Sequence, residues 1–145
     1  MILPSKLKSL WMFIVTLLKK QNSGAQSETI ALKYLSKQGL KLKKRNFSCK
    51  MGEIDLIMHD KEVLVFIEVK MRSTQEYGGA LSAVTYKKQQ RIKKASLFYL
   101  KQYGTEPPKC RFDVVAIDGN QTKKAQKFKY NKKTYALTWV KQAFN

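Results

Sequence analysis

Acidic side chains are scarce in this chain, with ten Asp and Glu against 29 Lys and Arg in 145 residues, so the formal net charge is +19. A charge of this size attracts polyanions, of which nucleic acid is the commonest in a cell and anionic lipid the second candidate. The longest apolar run, from Leu10 to Leu18, is interrupted by Thr16 and is shorter than the roughly 20 residues that span a bilayer. The sequence therefore argues against a conventional membrane protein.

Cysteine and histidine are also rare. Cys49 and Cys110 are too few for a disulfide framework and lack the spacing of a zinc site, so we expect a cytoplasmic protein with both thiols in strands as small apolar residues. His59 is the only histidine and is predicted to lie in a turn. A Ser/His/Asp or Cys/His catalytic apparatus is therefore not expected.

The length predicts a single domain, preceded by a segment of different composition. Residues 1–23 combine lysines with the apolar run, and no small-residue cleavage site follows them. We predict a basic extension that is helical or disordered, with a break at Asn22, Ser23 and Gly24 and a domain over residues 24–145. Weak contact between residues 1–21 and an anionic membrane surface is a further expectation.

Apolar periodicity along the domain predicts an α/β protein. Helices are predicted over Ala25–Gln38, which Gly39 ends, and over Ser82–Tyr103, which presents Ile92, Ala95 and Tyr99 to the core. A short helical pattern covers Trp139–Phe144. Strands are predicted over Glu53–Met58, Val63–Lys70 and Arg111–Ile117, with a weaker one around Phe128 and a turn at Gly119-Asn120.

The first two of these strands are predicted to form a hairpin around a loop of Asp60 and Lys61. One face is then wholly apolar, because Ile54 pairs with Ile67, Leu56 with Val65 and Met58 with Val63.

The opposite face of the predicted hairpin collects Glu53, Asp55 and Glu68. Like charges so close together need compensation, and a divalent cation is the simplest one. Mg²⁺ is usually bound by one or two carboxylates with water and phosphate oxygens, so Asp55 and Glu68 suffice, and the backbone carbonyl of Val69 can add a ligand. Lys70 returns to the same face, where it can position water or offset charge on a phosphate. This arrangement suits phosphodiester hydrolysis.

The alternative is an ordinary alternating strand with a solvated charged face. Three observations argue against this alternative. The residues that alternate with Glu68 and Lys70 along the strand already form the apolar, inward face, and Asp55 lies on the same face as Glu68. The surrounding chain is also basic. Asp113 is a rival ligand that we interpret as a structural residue or a support for the ligands. Glu28 points inward from the first helix, where the helix dipole alone can favour a carboxylate.

Three motifs resemble a known family: Gly-Glu-Ile-Asp-Leu-Ile from Gly52, Phe-Ile-Glu-Val-Lys-Met-Arg from Phe66 and Arg-Phe-Asp-Val-Val-Ala-Ile from Arg111. They resemble the YraN-like family of small bacterial proteins, uncharacterised protein family 0102. That family is related to archaeal Holliday-junction resolvases within the PD-(D/E)XK nuclease superfamily. The resemblance runs from about Gly24 to Phe144 and includes Tyr34-Leu35, Ala143-Phe144, and Val84, Lys88 and Arg91 on the long helix.

The resemblance implies a restriction-endonuclease-like core, in which helices flank a mixed β-sheet. It implies a Mg²⁺ or Mn²⁺ site of Asp55 and Glu68 with Lys70, which Glu28 completes as a catalytic residue and possible ligand, while Glu53 supports the ligands or belongs to the hairpin. DNA is the implied substrate, possibly branched as in a Holliday junction, which would favour a homodimer because two symmetric cuts need two sites. No organic cofactor is expected.

Basic residues on the long helix and near the predicted hairpin are expected to track the DNA backbone. They are Lys43, Lys44, Arg45, Arg72, Lys87, Lys88, Arg91 and Lys94. The rival hypothesis is a nucleic-acid-binding protein that keeps the nuclease fold without catalysis, and charge alone does not separate the two.

Overall fold

A single mixed sheet with a helix packed on each face organises the chain. The computed structural model describes residues 5–72, 84–118 and 125–145. In chain order the elements are α1 (Ser5–Lys37), β1 (Lys41–Cys49), β2 (Gly52–Asp60), β3 (Val63–Arg72), α2 (Tyr86–Leu100), a 3-10 turn (Lys101–Tyr103), β4 (Cys110–Asp118), β5 (Gln126–Tyr130) and β6 (Lys133–Phe144). The predicted α/β class with a restriction-endonuclease-like core is confirmed.

The sheet order in the described part is β1-β2-β3-β4-β6-β5. Only the β3–β4 pair is parallel, and α2 lies in the connection between these two strands, as a parallel pair requires. Both central strands are buried on their two faces, which explains their nearly continuous apolar sequences.

Two apolar cores result, one on each face of the sheet. Residues of α1 such as Ile30 and Leu35 pack against one face, together with Leu56 and Ile67. On the other face, α2 contributes Ile92 and Ala95, with Tyr99 half-buried beside them, as predicted. Phe66 is the largest fully buried side chain of this second core.

The predicted hairpin register was wrong by two residues. Asp60 pairs with Val63 and Leu56 with Ile67, so the loop consists of Lys61 and Glu62, and Lys61 adopts a φ of 54°. Because the shift is even, the residues of β2 from Leu56 onward and their partners on β3 keep their predicted faces.

The wholly apolar single face was also a wrong prediction. Ile54 packs in the α2 core beside Ile57, whereas Leu56 packs in the α1 core. Strand β2 therefore changes face at Asp55, opposite Asn46 of β1, whose φ of 49° marks an irregularity in that strand. His59 lies within β2 and not in the turn.

Helix α1 is continuous through the predicted break at residues 22–24. A glycine inside a helix costs only about 1 kcal/mol, and the Ser27 hydroxyl donates a hydrogen bond to the Gly24 carbonyl at 2.8 Å. The predicted stop at Gly39 is confirmed, with a φ of 98°. The division at residue 24 stays a prediction. No helix in the described part is long and apolar enough to cross a membrane.

The predicted helical segment Trp139–Phe144 is strand, the last part of β6. Trp139 pairs with Val115 and Phe144 with Phe112, but a bulge with Gln142 at a φ of 49° interrupts the alternation. The interrupted alternation resembles helical spacing in the sequence, which explains the error.

Helix α2 and strand β5 are close to the predicted elements, whereas β1 was not among the predicted strands. Helix α2 is shorter than predicted and is capped by Thr85, while residues 82–83 and the turn at 119–120 lie outside the described residues. The weaker strand around Phe128 is confirmed as β5. Both cysteines lie in strands, but Cys110 is exposed, contrary to the expectation for a small apolar residue.

The β6 bulge is held by Asp113, a fully buried carboxylate on β4. Its oxygens accept hydrogen bonds from the backbone N–H of Gln142 at 2.9 Å, from Trp139 Nε1 at 3.0 Å and from the Arg111 guanidinium at 3.0–3.2 Å. Arg111 also pairs with Asp60 at 2.9 Å. Asp113 therefore fastens β6 to β4, and its oxygens are already occupied by these donors.

Replacing Asp113 by Ala should destabilise the fold by about 3 kcal/mol or more, because the donors on Arg111, Trp139 and Gln142 lose their buried acceptor. Urea unfolding measures this change, with Glu62→Ala as the control that removes a carboxylate from the exposed turn and should stay within about 0.5 kcal/mol. Equal midpoints for the two variants would contradict this role.

Candidate active site

The predicted acidic residues lie close together at the point where β2 stops pairing with β3. Pairing between the two strands extends from the turn to Leu56 and Ile67. At the next residue, Asp55 Oδ2 accepts a hydrogen bond from the backbone N–H of Val69 at 2.8 Å. The Asp55 side chain thus accepts a hydrogen bond that a backbone carbonyl would accept in a regular antiparallel ladder. This hydrogen bond places the Asp55 carboxylate beside Glu68.

Glu68 is a buried charged residue, only 3% exposed, with incomplete hydrogen bonding. Its Oε1 atom lies 3.4 Å from Lys70 Nζ and 3.6 Å from Lys88 Nζ. Its Oε2 atom is buried and has no hydrogen-bond partner in the described part of the chain. Buried carboxylate oxygens are rarely left in this state, so the free oxygen requires an explanation.

Burial and the neighbouring Asp55 charge both disfavour ionisation of Glu68. Burial and the Asp55 charge raise the pKa of Glu68 to about 7, although Lys88 and Lys70 act in the opposite direction. Burial also raises the pKa of Asp55, against the effects of the Val69 N–H and Lys88. Because the two carboxyl groups lie close enough to influence each other's pKa, they titrate as a pair and retain a proton more readily than isolated carboxyls do.

Glu28 approaches this pair from α1. Burial and then the Asp55 charge raise its pKa, while a hydrogen bond from Asn46 and the charge of Arg45 lower it. Its Oε2 atom is buried without a partner in the described part. Since α1 begins at Ser5, Glu28 lies in mid-helix, and the helix dipole does not account for its inward position.

The other predicted members of the site lie at its edge. Lys70 is about one-third exposed. Glu53 is largely exposed and lies 3.8 Å from Lys88 Nζ, so it balances that ammonium group at the rim. Val69 donates its N–H to Asp55, and its carbonyl belongs to the same segment of β3 as Glu68 and Lys70.

The geometry fits a divalent cation held by few protein ligands. Within the described ranges, no three His, Cys, Asp or Glu side chains are grouped as a ready-made cation site. Mg²⁺ does not require such a group, since it commonly uses one or two carboxylates and several waters. The unpartnered Glu68 oxygen next to Asp55 offers suitable ligand chemistry.

Lys88 is the site residue that sequence reasoning placed elsewhere. It was predicted to track DNA, yet its ammonium group contacts both Glu68 and Glu53. Gly52 helps to bring α2 this close, because a Cβ atom there would lie 3.0 Å from the Arg91 carbonyl oxygen. Lys88 is among the residues that carry the family resemblance, and this could have indicated a role in the site. Its spacing along α2, however, does not predict a contact with Glu68.

Most of the other predicted DNA-binding residues are exposed. Lys43 and Lys44 lie on the outer strand β1, while Lys87, Arg91 and Lys94 form a stripe on α2. Arg45 differs, because its Nη2 atom donates to Thr29 Oγ1 at 3.0 Å and its Nε atom is buried. The Arg72 side chain lies outside the described residues.

A family model named uncharacterised protein family UPF0102 matches residues 27–117. The chain belongs to this family. The match contains Glu28, Asp55, Glu68, Lys70 and Lys88, and it confirms the YraN-like assignment.

Named relatives agree over most of the chain. A UPF0102 protein of Janthinobacterium sp. (strain Marseille) is 44% identical over 124 residues, covering 86% of this chain and 88% of the relative. One from Herminiimonas arsenicoxydans is 50% identical, covering 70% and 82%. One from Legionella pneumophila (strain Corby) is 41% identical, covering 86% and 96%. These names state no activity.

Substituting Glu68 by Gln should stabilise the metal-free protein at pH 8. The folded pKa of about 7 exceeds the ordinary value of 4.5, so stability present below pH 4.5 is lost as the pH rises to about 7. The advantage of the variant, on the order of 2 kcal/mol at pH 8, should therefore shrink as the pH falls toward 4.5. Thermal melts in EDTA, with Glu62→Gln as the control, measure it. An advantage of the same size at pH 4.5 and 8 would contradict this account.

Proposed function

We propose that this protein is a cytoplasmic, divalent-cation-dependent DNA endonuclease that hydrolyses phosphodiester bonds. The observation that carries the proposal is the buried Glu68 with an unpartnered oxygen, beside Asp55 and on the same strand as Lys70. Two adjacent acids, one of them buried, cost free energy to keep ionised unless their charge is used.

Asp55 and Glu68 would hold Mg²⁺ or Mn²⁺, with the Val69 carbonyl and Glu28 as further candidates. A bound divalent cation lowers the pKa of water and polarises a phosphoryl oxygen. Lys70, next to Glu68 and partly exposed, would orient the attacking water or offset charge on the phosphate. The Val69 N–H holds the Asp55 carboxylate in one orientation before substrate arrives.

The basic face of α2 supports a polyanionic substrate. Lys87, Arg91 and Lys94 recur at i, i+4 and i+7 and are exposed, whereas Lys88 on the same helix turns toward the acids. A DNA backbone held along this stripe would pass close to Asp55 and Glu68. If the substrate is a four-way junction, two copies would be needed for symmetric cuts.

A second candidate is a DNA-binding protein without catalysis. It is favoured by the two lysines that already neutralise Glu68, and by the lack of a three-residue cation cluster in the described ranges. In this case Lys70 and Lys88 would be permanent counter-ions of the buried acids.

Cleavage assays with labelled duplex, single-stranded, flap and four-way-junction DNA separate the two candidates. We expect cutting with Mg²⁺ or Mn²⁺ but not with EDTA, and a loss of roughly 100-fold or more in Asp55→Asn and Glu68→Gln, whose DNA affinity should be equal or higher. Glu62→Gln is the matched control and should cut normally. Binding without cutting under either cation would favour the second candidate, and equal cutting by Glu68→Gln would exclude the proposed site.

A further inference from the structure

The first half of α1 carries an apolar surface that no element within residues 5–72, 84–118 and 125–145 covers. Large side chains from Leu10 to Leu17 are exposed, with Trp11 and Phe13 each at 62%. By contrast, Ser27 is the first buried residue among the α1 side chains that the structure describes. Apolar groups exposed in such a continuous patch indicate a binding surface.

The patch has one wholly apolar side, and Lys8 is the one charged residue among residues 8–17. Leu10, Phe13, Ile14 and Leu17 share that side of the helix, whereas the opposite side is mixed, with the exposed Met12 between Lys8 and Thr16. The first acidic residue of the chain is Glu28, and four lysines precede it at positions 6, 8, 19 and 20. This combination is typical of helices that lie in the surface of an anionic bilayer.

The length of the apolar run excludes a crossing. Nine residues from Leu10 to Leu18 extend over about 13 Å, less than half of the roughly 30 Å hydrocarbon core. Trp11 within the run suits the boundary between headgroups and acyl chains. An in-plane orientation would bury the Leu10 side and leave Lys8 among the headgroups.

Charge also distinguishes a bilayer from a second copy of the chain as the occupant. Two copies would each bring a net charge of +19, so an interface between these helices would form against strong repulsion. The same charge attracts anionic lipid.

We propose that residues 8–17 of α1 bind the surface of an anionic membrane and attach the domain to it reversibly. The attachment depends on the apolar side of the helix for insertion and on the lysines for attraction. It is independent of the nuclease proposal, because no residue of the candidate active site takes part.

Co-sedimentation of the full chain with vesicles tests this proposal. We expect binding to phosphatidylglycerol–phosphatidylcholine vesicles and little to phosphatidylcholine alone, together with a blue shift of tryptophan emission that Trp11→Phe abolishes. The double substitution Ile14→Gln and Leu17→Gln should weaken binding roughly ten-fold or more. Leu97→Gln is the matched control, since this leucine of α2 is 65% exposed and should not affect binding.

Three results would overturn the proposal. The first is no binding to the anionic vesicles by the full chain. The second is undiminished binding by the double variant, verified as folded by its thermal melt, because attraction by the basic domain would then suffice. The third is a concentration-dependent oligomer without lipid that produces the Trp11 shift, which would identify a second copy as the occupant.

Discussion

The hydrogen bond from the Val69 N–H to Asp55 is the contact on which the candidate site depends. This hydrogen bond forms where the backbone pairing of β2 with β3 ends, and it holds the Asp55 carboxylate beside Glu68. The change of face in β2 at this residue, from Ile54 in the α2 core to Leu56 in the α1 core, belongs to the same irregularity.

Two buried acids of the central strands illustrate the difference between structure and function. Asp113 is fully buried, but Arg111, Trp139 and Gln142 donate hydrogen bonds to both of its oxygens. Glu68 is almost as buried and has one oxygen without a hydrogen-bond partner among the residues that the structure describes. A satisfied carboxylate stabilises the fold, whereas an unsatisfied one beside a second acid is poised for a ligand.

Much of the site could be predicted because an error of two residues in the register of a strand pair leaves the side chains on the same face of the sheet. The hairpin was predicted two residues out of register, yet Leu56 still lies opposite an apolar residue and Glu68 still lies near Asp55. Contacts between distant elements could not be predicted in this way. The ion pair of Lys88 with Glu68 depends on how closely α2 approaches β2, and the bulge at Gln142 depends on Asp113 of another strand. Local periodicity contains no information about either.

The proposed divalent-cation site requires both Asp55 and Glu68. Titration of the full chain with Mn²⁺ at pH 8, followed by electron paramagnetic resonance of free Mn²⁺, tests this requirement without a DNA substrate. We expect saturable Mn²⁺ binding that competes with Mg²⁺ and is lost in both Asp55→Asn and Glu68→Gln, but not in Glu62→Gln. Undiminished binding by the Glu68→Gln protein, or no saturable binding by the unaltered chain, would contradict it.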